Sequence, residues 1–437
     1  GEYEVKFMTD AHNLKEMKNN TLKYKVDAGG ITYKMDPKTK QFVKNRMTGE
    51  IAYAETPIDG STVGAEKQYL SRNDFVTTFP KEHAKTPSNN GNGSDFINDV
   101  YNTDIMPTLS VDSGLRIVTK EDGTSASLAD LKGNGTKLVA NEELIADLSN
   151  YKSATWEKLL NQMSADELCK LVEDGGFSTQ AIESIGKPKA LDTDGPAGFN
   201  ANVLSVGGDA KAKWTAYPSE TLIGSTWSSE IAYRMGLSMG VEAQATGMSG
   251  WYAPGVNLHR SPYTARNYEY YSEDGFISGK LAAEVIRGAK INGLYCYLKH
   301  FVLSEPGPNP GGLNTWCTEQ NLRENYLKPF EIAVKEGGAN AIMSAFNRVG
   351  GTWAGASYPC LTQILRTEWG FRGSVITDYS SGGGRGGMNP EQGVKAGNDF
   401  WLNPNEGNNG AKLNREDPTM VTCARMAAKN VIFTYVD

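Results

Sequence analysis

The chain is poor in the residues that carry metal and thiol chemistry. Its four His (His12, His83, His259, His300) form no His-x-x-x-His pair, and its five Cys (Cys169, Cys296, Cys317, Cys360, Cys423) form no Cys-x-x-Cys. No zinc framework is therefore encoded, and neither a metal nor a cofactor is expected. An odd, widely spaced set of cysteines fits reduced thiols in a reducing, cytoplasmic compartment better than a disulfide scaffold. No stretch approaches the ~18 uninterrupted apolar residues of a membrane span. Positive charge is also short: 44 Lys+Arg stand against 51 Asp+Glu, a net charge of −7. That balance argues against nucleic acid as the main partner. The run Gly382-Gly383-Gly384-Arg385-Gly386-Gly387 lacks the Lys-Ser/Thr of a phosphate-binding loop, which weakens a nucleotide-binding reading.

What is present is enough apolar sequence for a packed core: 39% hydrophobic residues in 437, with 48 Gly and 20 Tyr in excess. At roughly 150 residues per domain the length suggests two or three domains, or one α/β barrel taking most of it. Tyr3, Val5 and Phe7 alternate with polar residues, and Leu22, Tyr24 and Val26 repeat the pattern, so two strands are expected at the start. Two strands alone make a marginal sheet. A strand beginning at residue one, without an initiator Met, reads as the remnant of a larger domain in a longer protein. Residues 1–50 hold 10 Lys/Arg and 7 Asp/Glu, leaving −10 for the rest, and end in a Lys-rich linker, Lys34 to Lys44. Residues 51–150 read as an extended connecting region containing the turn-rich patch Lys85–Ser94.

From residue 151 the texture changes. Trp156, Leu159, Leu160, Met163, Leu168 and Leu171 mark apolar helix faces, with Ser164 and Asp166 as start signals. Apolar runs at 190–193, 250–256, 293–298, 339–344, 373–377 and 393–402 then alternate with helical stretches at 277–290, 319–336 and 362–369. Strand–helix alternation over some 280 residues implies parallel strands joined by right-handed crossovers. A (β/α)8 barrel over 151–437 is the expected fold. Such barrels place their chemistry at the C-terminal ends of the strands. Those ends carry Asp192-Thr193-Asp194-Gly195-Pro196, Asn257-Leu258-His259-Arg260 with Arg266 and the acidic run Glu269, Glu273, Asp274, then Lys299-His300-Phe301 and Thr377-Asp378-Tyr379. Carboxylates, cations and aromatic rings converging on one face suit a hydroxyl-covered ligand. Singly, each has a plainer reading: Asp194 as a turn residue, Lys299-His300 as an ion-pair partner, Asp378 as a helix cap.

Tyr252–Arg260, Ala265–Asp274, Leu298–Phe301, Met343–Val349 and Val375–Tyr379 closely resemble the ordered motifs of glycoside hydrolase family 3, in its β-glucosidase-like branch. The resemblance implies a retaining mechanism on terminal β-D-glucosyl residues of a β-linked glucoside or oligosaccharide. Asp378 then matches the nucleophile, and Asp194, Arg266, Lys299 and His300 match residues that hold sugar hydroxyls. Tyr379 stands where Trp is common, and Phe346 where Tyr is common, which removes a hydroxyl available to the nucleophile. Val302-Leu303-Ser304-Glu305 differs from the Gly-His-Gly of the branch acting on N-acetylglucosaminides.

Retaining glycosidases need two carboxyl groups, about 5–5.5 Å apart. In most such relatives the acid/base Glu sits on an α/β-sandwich domain that this sequence does not contain. The resemblance therefore implies an inverted domain order, with residues 1–50 a fibronectin type III-like remnant and linker. The acid/base would lie on a second polypeptide or a missing N-terminal segment, with Glu305 an in-chain alternative. A catalytically silent carbohydrate-binding chain is the competing expectation.

Overall fold

The computed structural model describes residues 2–10, 12–25, 40, 120–133, 138, 140–305, 314–315, 317, 319–349, 352–380, 388–403 and 412–437. Most of the Lys-rich linker, most of the connecting region and the run Gly382–Gly387 lie outside the described residues. These fall into two units, residues 2–40 in the first and 120–437 in the second.

The first unit shows β1 (Glu2–Lys6) paired antiparallel with β2 (Thr21–Lys25), Tyr3 opposite Tyr24 and Val5 opposite Leu22. The alternation predicts both strands.

The second unit is an α/β structure around a curled six-stranded sheet. In chain order its strands are β3 (Ser178–Thr179), β4 (Ala190–Asp194), β5 (Gly250–Tyr252) and β6 (Tyr295–Phe301), then β8 (Ala341–Ser344) and β11 (Ser374–Thr377). The short strands β7 (Asn314–Thr315), β9 (Arg348–Val349) and β10 (Thr352–Trp353) form a separate three-stranded sheet. The large sheet runs β11-β8-β6-β5-β4-β3, parallel throughout except for β3 against β4. Residues 399–402 run between β11 and the segment that precedes β3. Thr377 N–H donates to Phe400 O, Trp401 N–H donates to Val172 O, and the Trp401 carbonyl accepts Gly175 N–H. The run 393–402, expected as a strand, instead divides: the helix Pro390–Ala396 takes its first part, capped by Asn389 and ended by Gly397 in the left-handed region. Apolar periodicity cannot separate a short buried helix from a strand.

Alternate residues of the strands enter two different cores, as the two-residue period requires. Trp251, Cys296, Leu298, Ile342 and Val375 pack outward against helices. Tyr252, Tyr295, Tyr297, Met343, Ile376 and Phe400 form the other cluster with Phe177 and Phe346. Between the tyrosines lies a buried acid: Tyr295 and Tyr297 donate their hydroxyls to Asp192 at 2.7 and 3.0 Å.

Helices cover the sheet where local signals place them. Ser164 and Glu167 form a reciprocal capping box on Ala165–Glu173, as the start signals there predict. Asp274 caps Gly275–Lys290 through Phe276 N–H and Ile277 N–H. The helical stretch expected over 319–336 is divided, with a π-helical segment, Leu322–Tyr326, before Lys328–Lys335. The helix Ser229–Thr246 contains a Gly-x-Ser-x-Gly pattern, Gly236–Gly240, which in another setting would form a strand-to-helix nucleophile elbow. Here it is a packing device. A Cβ on Gly236 would sit 2.0 Å from Val285 O, so only glycine lets this helix meet Gly275–Lys290 backbone to backbone.

Candidate active site

The site forms where the C-terminal ends of β4, β6 and β11 meet the loop after β5. Asp194 is the last residue of β4, and Lys299 lies in β6 on the same side as Tyr295 and Tyr297. Two registers therefore stack inside the sheet: Asp192 with two tyrosines below, and Asp194 with Lys299 above. Lys299 Nζ donates to Asp194 Oδ1 at 2.8 Å and lies 3.6 Å from Glu269 Oε2. Gly195 N–H adds a second donor to the same Asp194 oxygen, at 2.9 Å. Its φ of +118° is open to glycine alone, and a Cβ there would strike Gly198 O. Burial alone would raise the Asp194 pKa, but the Lys299 charge and hydrogen bond outweigh it and hold the carboxyl below its ordinary value. Burial likewise opposes the Lys299 charge, and Asp194 and Glu269 more than restore it.

Arg266 enters from the loop after β5. Its Nε donates to Glu269, three residues on, and one terminal nitrogen donates to His300 Nε2 at 3.0 Å. A guanidinium only donates, so His300 Nε2 accepts and the imidazole proton resides on Nδ1. That proton points at the Tyr270 hydroxyl, 3.2 Å away. Burial, followed by the Arg266 and Lys299 charges, drives the His300 pKa well below its ordinary value, so the ring is neutral. Its backbone is gripped by Asn257: Oδ1 accepts His300 N–H at 2.7 Å and Nδ2 donates to His300 O at 3.1 Å.

Asp378 follows β11. Its N–H donates to Ser344 O on the neighbouring strand, and its Oδ1 accepts Tyr379 N–H at 2.8 Å. Oδ2 is buried without a hydrogen-bond partner among the described residues and lies 3.8 Å from His300 Nε2. Burial raises the pKa to about 6 against the opposing charges of Arg266 and Lys299. A carboxyl in that range ionises near neutral pH while keeping one oxygen uncommitted, as a nucleophile or base requires.

Asp194, Arg266, Lys299, His300 and Asp378 are thus brought together from four separate segments. Tyr379 is half-buried, its ring centroid 6.4 Å from that of Phe177; Phe346 is buried in the same apolar cluster. Other residues at the strand ends go elsewhere. His259 turns its Nε2 to the carbonyls of Asn267 and Tyr270, Arg260 and Glu273 are exposed, and Asp274 is a helix cap. Asn257 and Glu269 stood among the strand-end residues and Tyr270 within a family motif, but none of the three was assigned a role in the expected site. Only Glu269 carried a local signal, its three-residue spacing from Arg266. Among the described residues no group of three or more His, Cys, Asp or Glu is placed to hold a metal ion.

This curled α/β sheet with a cluster of acids, cations and a neutral imidazole at its strand ends defines a class. The model of the glycosyl hydrolase family 3 N terminal domain matches residues 196–414, half of the chain. The chain belongs to glycosyl hydrolase family 3. It is 37% identical over 241 residues to Beta-glucosidase A of Butyrivibrio fibrisolvens, covering 55% of this chain and 28% of that protein. Against a Beta-glucosidase of Rhizobium radiobacter it is 38% identical over 224 residues, covering 51% and 27%. Among solved structures, beta-glucosidase 3B from Thermotoga neapolitana in complex with glucose superposes with a TM-score of 0.55 at 30% identity. That match covers 64% of this chain and 42% of the other. A beta-glucosidase from Paenibacillus barengoltzii gives 0.56 at 29%, covering 73% and 38%. The chain spans less than a third of the length of these two curated relatives.

Proposed function

We propose that the chain carries the sugar-binding and nucleophilic half of a retaining β-glucosidase acting on terminal β-D-glucosyl residues. Asp378 Oδ2 attacks the anomeric carbon, the glycosidic bond breaks, and the sugar is held as a glycosyl ester until water replaces it. Asp194, ion-paired through one oxygen, offers the other to sugar hydroxyls. Arg266, Lys299 and the neutral His300 address the remaining hydroxyls, and Tyr379 and Phe346 line the apolar side. The acid/base carboxyl comes from an α/β-sandwich domain outside this chain, on a second polypeptide or another segment of the protein. On this reading residues 151–437 are the family's (β/α)8 barrel, 51–150 a connecting region, and 1–50 a fibronectin type III-like remnant with its linker. The observation that carries the proposal is the buried Asp378 Oδ2, without a hydrogen-bond partner among the described residues and facing His300, with Arg266 and Lys299 close behind it.

A 2-deoxy-2-fluoro-β-D-glucoside with a dinitrophenolate leaving group tests it, because departure of that group needs little acid assistance. Mass spectrometry is expected to find the fluoroglucosyl adduct on Asp378, with none on the Asp378→Ala variant. An unlabelled chain that still binds glucose would overturn the enzymatic reading in favour of the silent carbohydrate-binding chain.

A further inference from the structure

One carboxyl behind the site is unaccounted for. Glu305 follows β6, is 1% exposed, and joins two loops at once. Its Oε1 accepts Asn257 Nδ2 at 3.2 Å and Leu258 N–H at 3.3 Å, and its main-chain carbonyl accepts the Thr264 hydroxyl at 3.0 Å. All three donors belong to the loop after β5, two residues beyond which Arg266 begins its approach to His300. Asn257 in turn holds both backbone polar groups of His300. That grip has a cause in the sheet. The β6–β8 ladder pairs Leu298 with Ile342 and Phe301 with Ser344, a register shift that leaves one residue extra between them. In an unbroken ladder the neighbouring strand supplies partners for successive backbone groups; at the shift, the Asn257 amide supplies them instead.

We propose that Asn257 and Glu305 are positioning residues which set the His300 imidazole against Arg266 and Asp378, and that Glu305 does so as a neutral carboxylic acid. Two N–H groups converge on Oε1, an arrangement that suits the carbonyl oxygen of a neutral acid, whose proton then sits on Oε2. Oε2 is buried and has no hydrogen-bond partner among the described residues. An ionised Oε2 would be buried with no hydrogen-bond donor among the described residues. Burial raises the Glu305 pKa despite the opposing Asn257 and Leu258 hydrogen bonds and the Arg260 charge. The role of these residues in catalysis rests on the reading of Asp378 and His300 given above; their effect on His300 does not.

The test uses the full chain with Asn257→Ala, Asn257→Asp, Glu305→Ala and Glu305→Gln. With four His in the sequence, the imidazole 15N resonances of His300 report its tautomer directly. In the wild type and Glu305→Gln they are expected to show a fixed Nδ1–H form from about pH 5 to about pH 8. Gln keeps the carbonyl acceptor and the neutrality. In Glu305→Ala and Asn257→Ala the fixed form is expected to give way to exchange between tautomers. Fluoroglucoside labelling of Asp378 is expected to slow on the order of tenfold to a hundredfold in both, while Glu305→Gln stays near the wild-type rate. Should an alanine variant fail to fold, Asn257→Asp carries the test, since it keeps the acceptor for His300 N–H and loses the donor to His300 O and Glu305. Unchanged His300 resonances in Glu305→Ala, Asn257→Ala and Asn257→Asp, or a Glu305→Gln that behaves as Glu305→Ala, overturn the proposal. A wild type that is never labelled while the resonances shift as stated would sink the β-glucosidase reading and leave the positioning roles standing.

Discussion

Lys299 Nζ lies between two carboxylates, 2.8 Å from Asp194 and 3.6 Å from Glu269, with Lys299 and Glu269 each 2% exposed. One cation thus ties the end of β4 to the loop after β5. Replacing Lys299 with Met leaves Arg266 as the one cation paired with the buried Glu269 among the described residues. Because Asp194 is more than a third exposed, the cost falls mainly on Glu269. The Lys299→Met variant is expected to lose about 3 kcal/mol of unfolding free energy, measured by denaturant titration. A loss below about 1 kcal/mol would show that this pairing does not hold the two segments together.

The labelling of Asp378 should depend on pH through that residue. On the proposed mechanism only the carboxylate attacks, and the folded pKa is about 6. The inactivation rate is therefore expected to rise with pH and level off above about 6. Arg266 is the largest influence opposing burial, so Arg266→Met should move the midpoint upward. A midpoint unmoved in that variant would dissociate the guanidinium from the tuning of Asp378.

Asp192 makes a prediction about stability. Burial raises its pKa from 3.8 to about 6, against the two tyrosine hydrogen bonds and the Lys187 charge. The folded state holds this proton more tightly than the unfolded state. The associated stability is present in full below pH 3.8 and is lost as pH rises through about 6. Asp192→Asn stays neutral and keeps an acceptor for one tyrosine. Thermal melts of this variant are expected to lose part of the decline that the wild type shows over that interval. Parallel pH profiles for the two proteins would refute the assignment.

Gly236 tests the helix contact. With Val285 O at 2.0 Å from the position of an added Cβ, Gly236→Ala must push two helices apart. A helix interior ordinarily favours Ala over Gly by about 1 kcal/mol. The overpacking cost, about 1–3 kcal/mol, is expected to prevail and lower the melting temperature. A stabilised variant would mean that the helices separate freely.

Much of this protein was legible in the linear chain because the signals are local. Alternation in residues 3–7 and 22–26, the capping signals at Ser164, and the apolar runs ending in Asp194, Lys299-His300 and Asp378 need only neighbours within a few residues. Strand ends of a parallel sheet share one face, so the grouping of those residues followed from the fold class. Where local patterns were ambiguous, reading along the chain failed: the stretch 393–402 has the apolarity of a strand, but Asn389 and Gly397 cap a helix within it.

The sequence by itself therefore determined the α/β alternation, the family motifs and the chemical type of the cluster: acids, cations and a histidine at strand ends. Only the tertiary structure decided which partners those groups have. It placed Glu269 between Arg266 and Lys299, made His300 accept from Arg266, left Asp378 Oδ2 without a hydrogen-bond partner among the described residues, and put the Asn257 amide where the β6–β8 register slips. The physical reason is that hydrogen bonds and desolvation depend on distances of a few ångströms between residues far apart in sequence. Asp194 and Lys299, in contact at 2.8 Å, are separated by 105 positions along the chain.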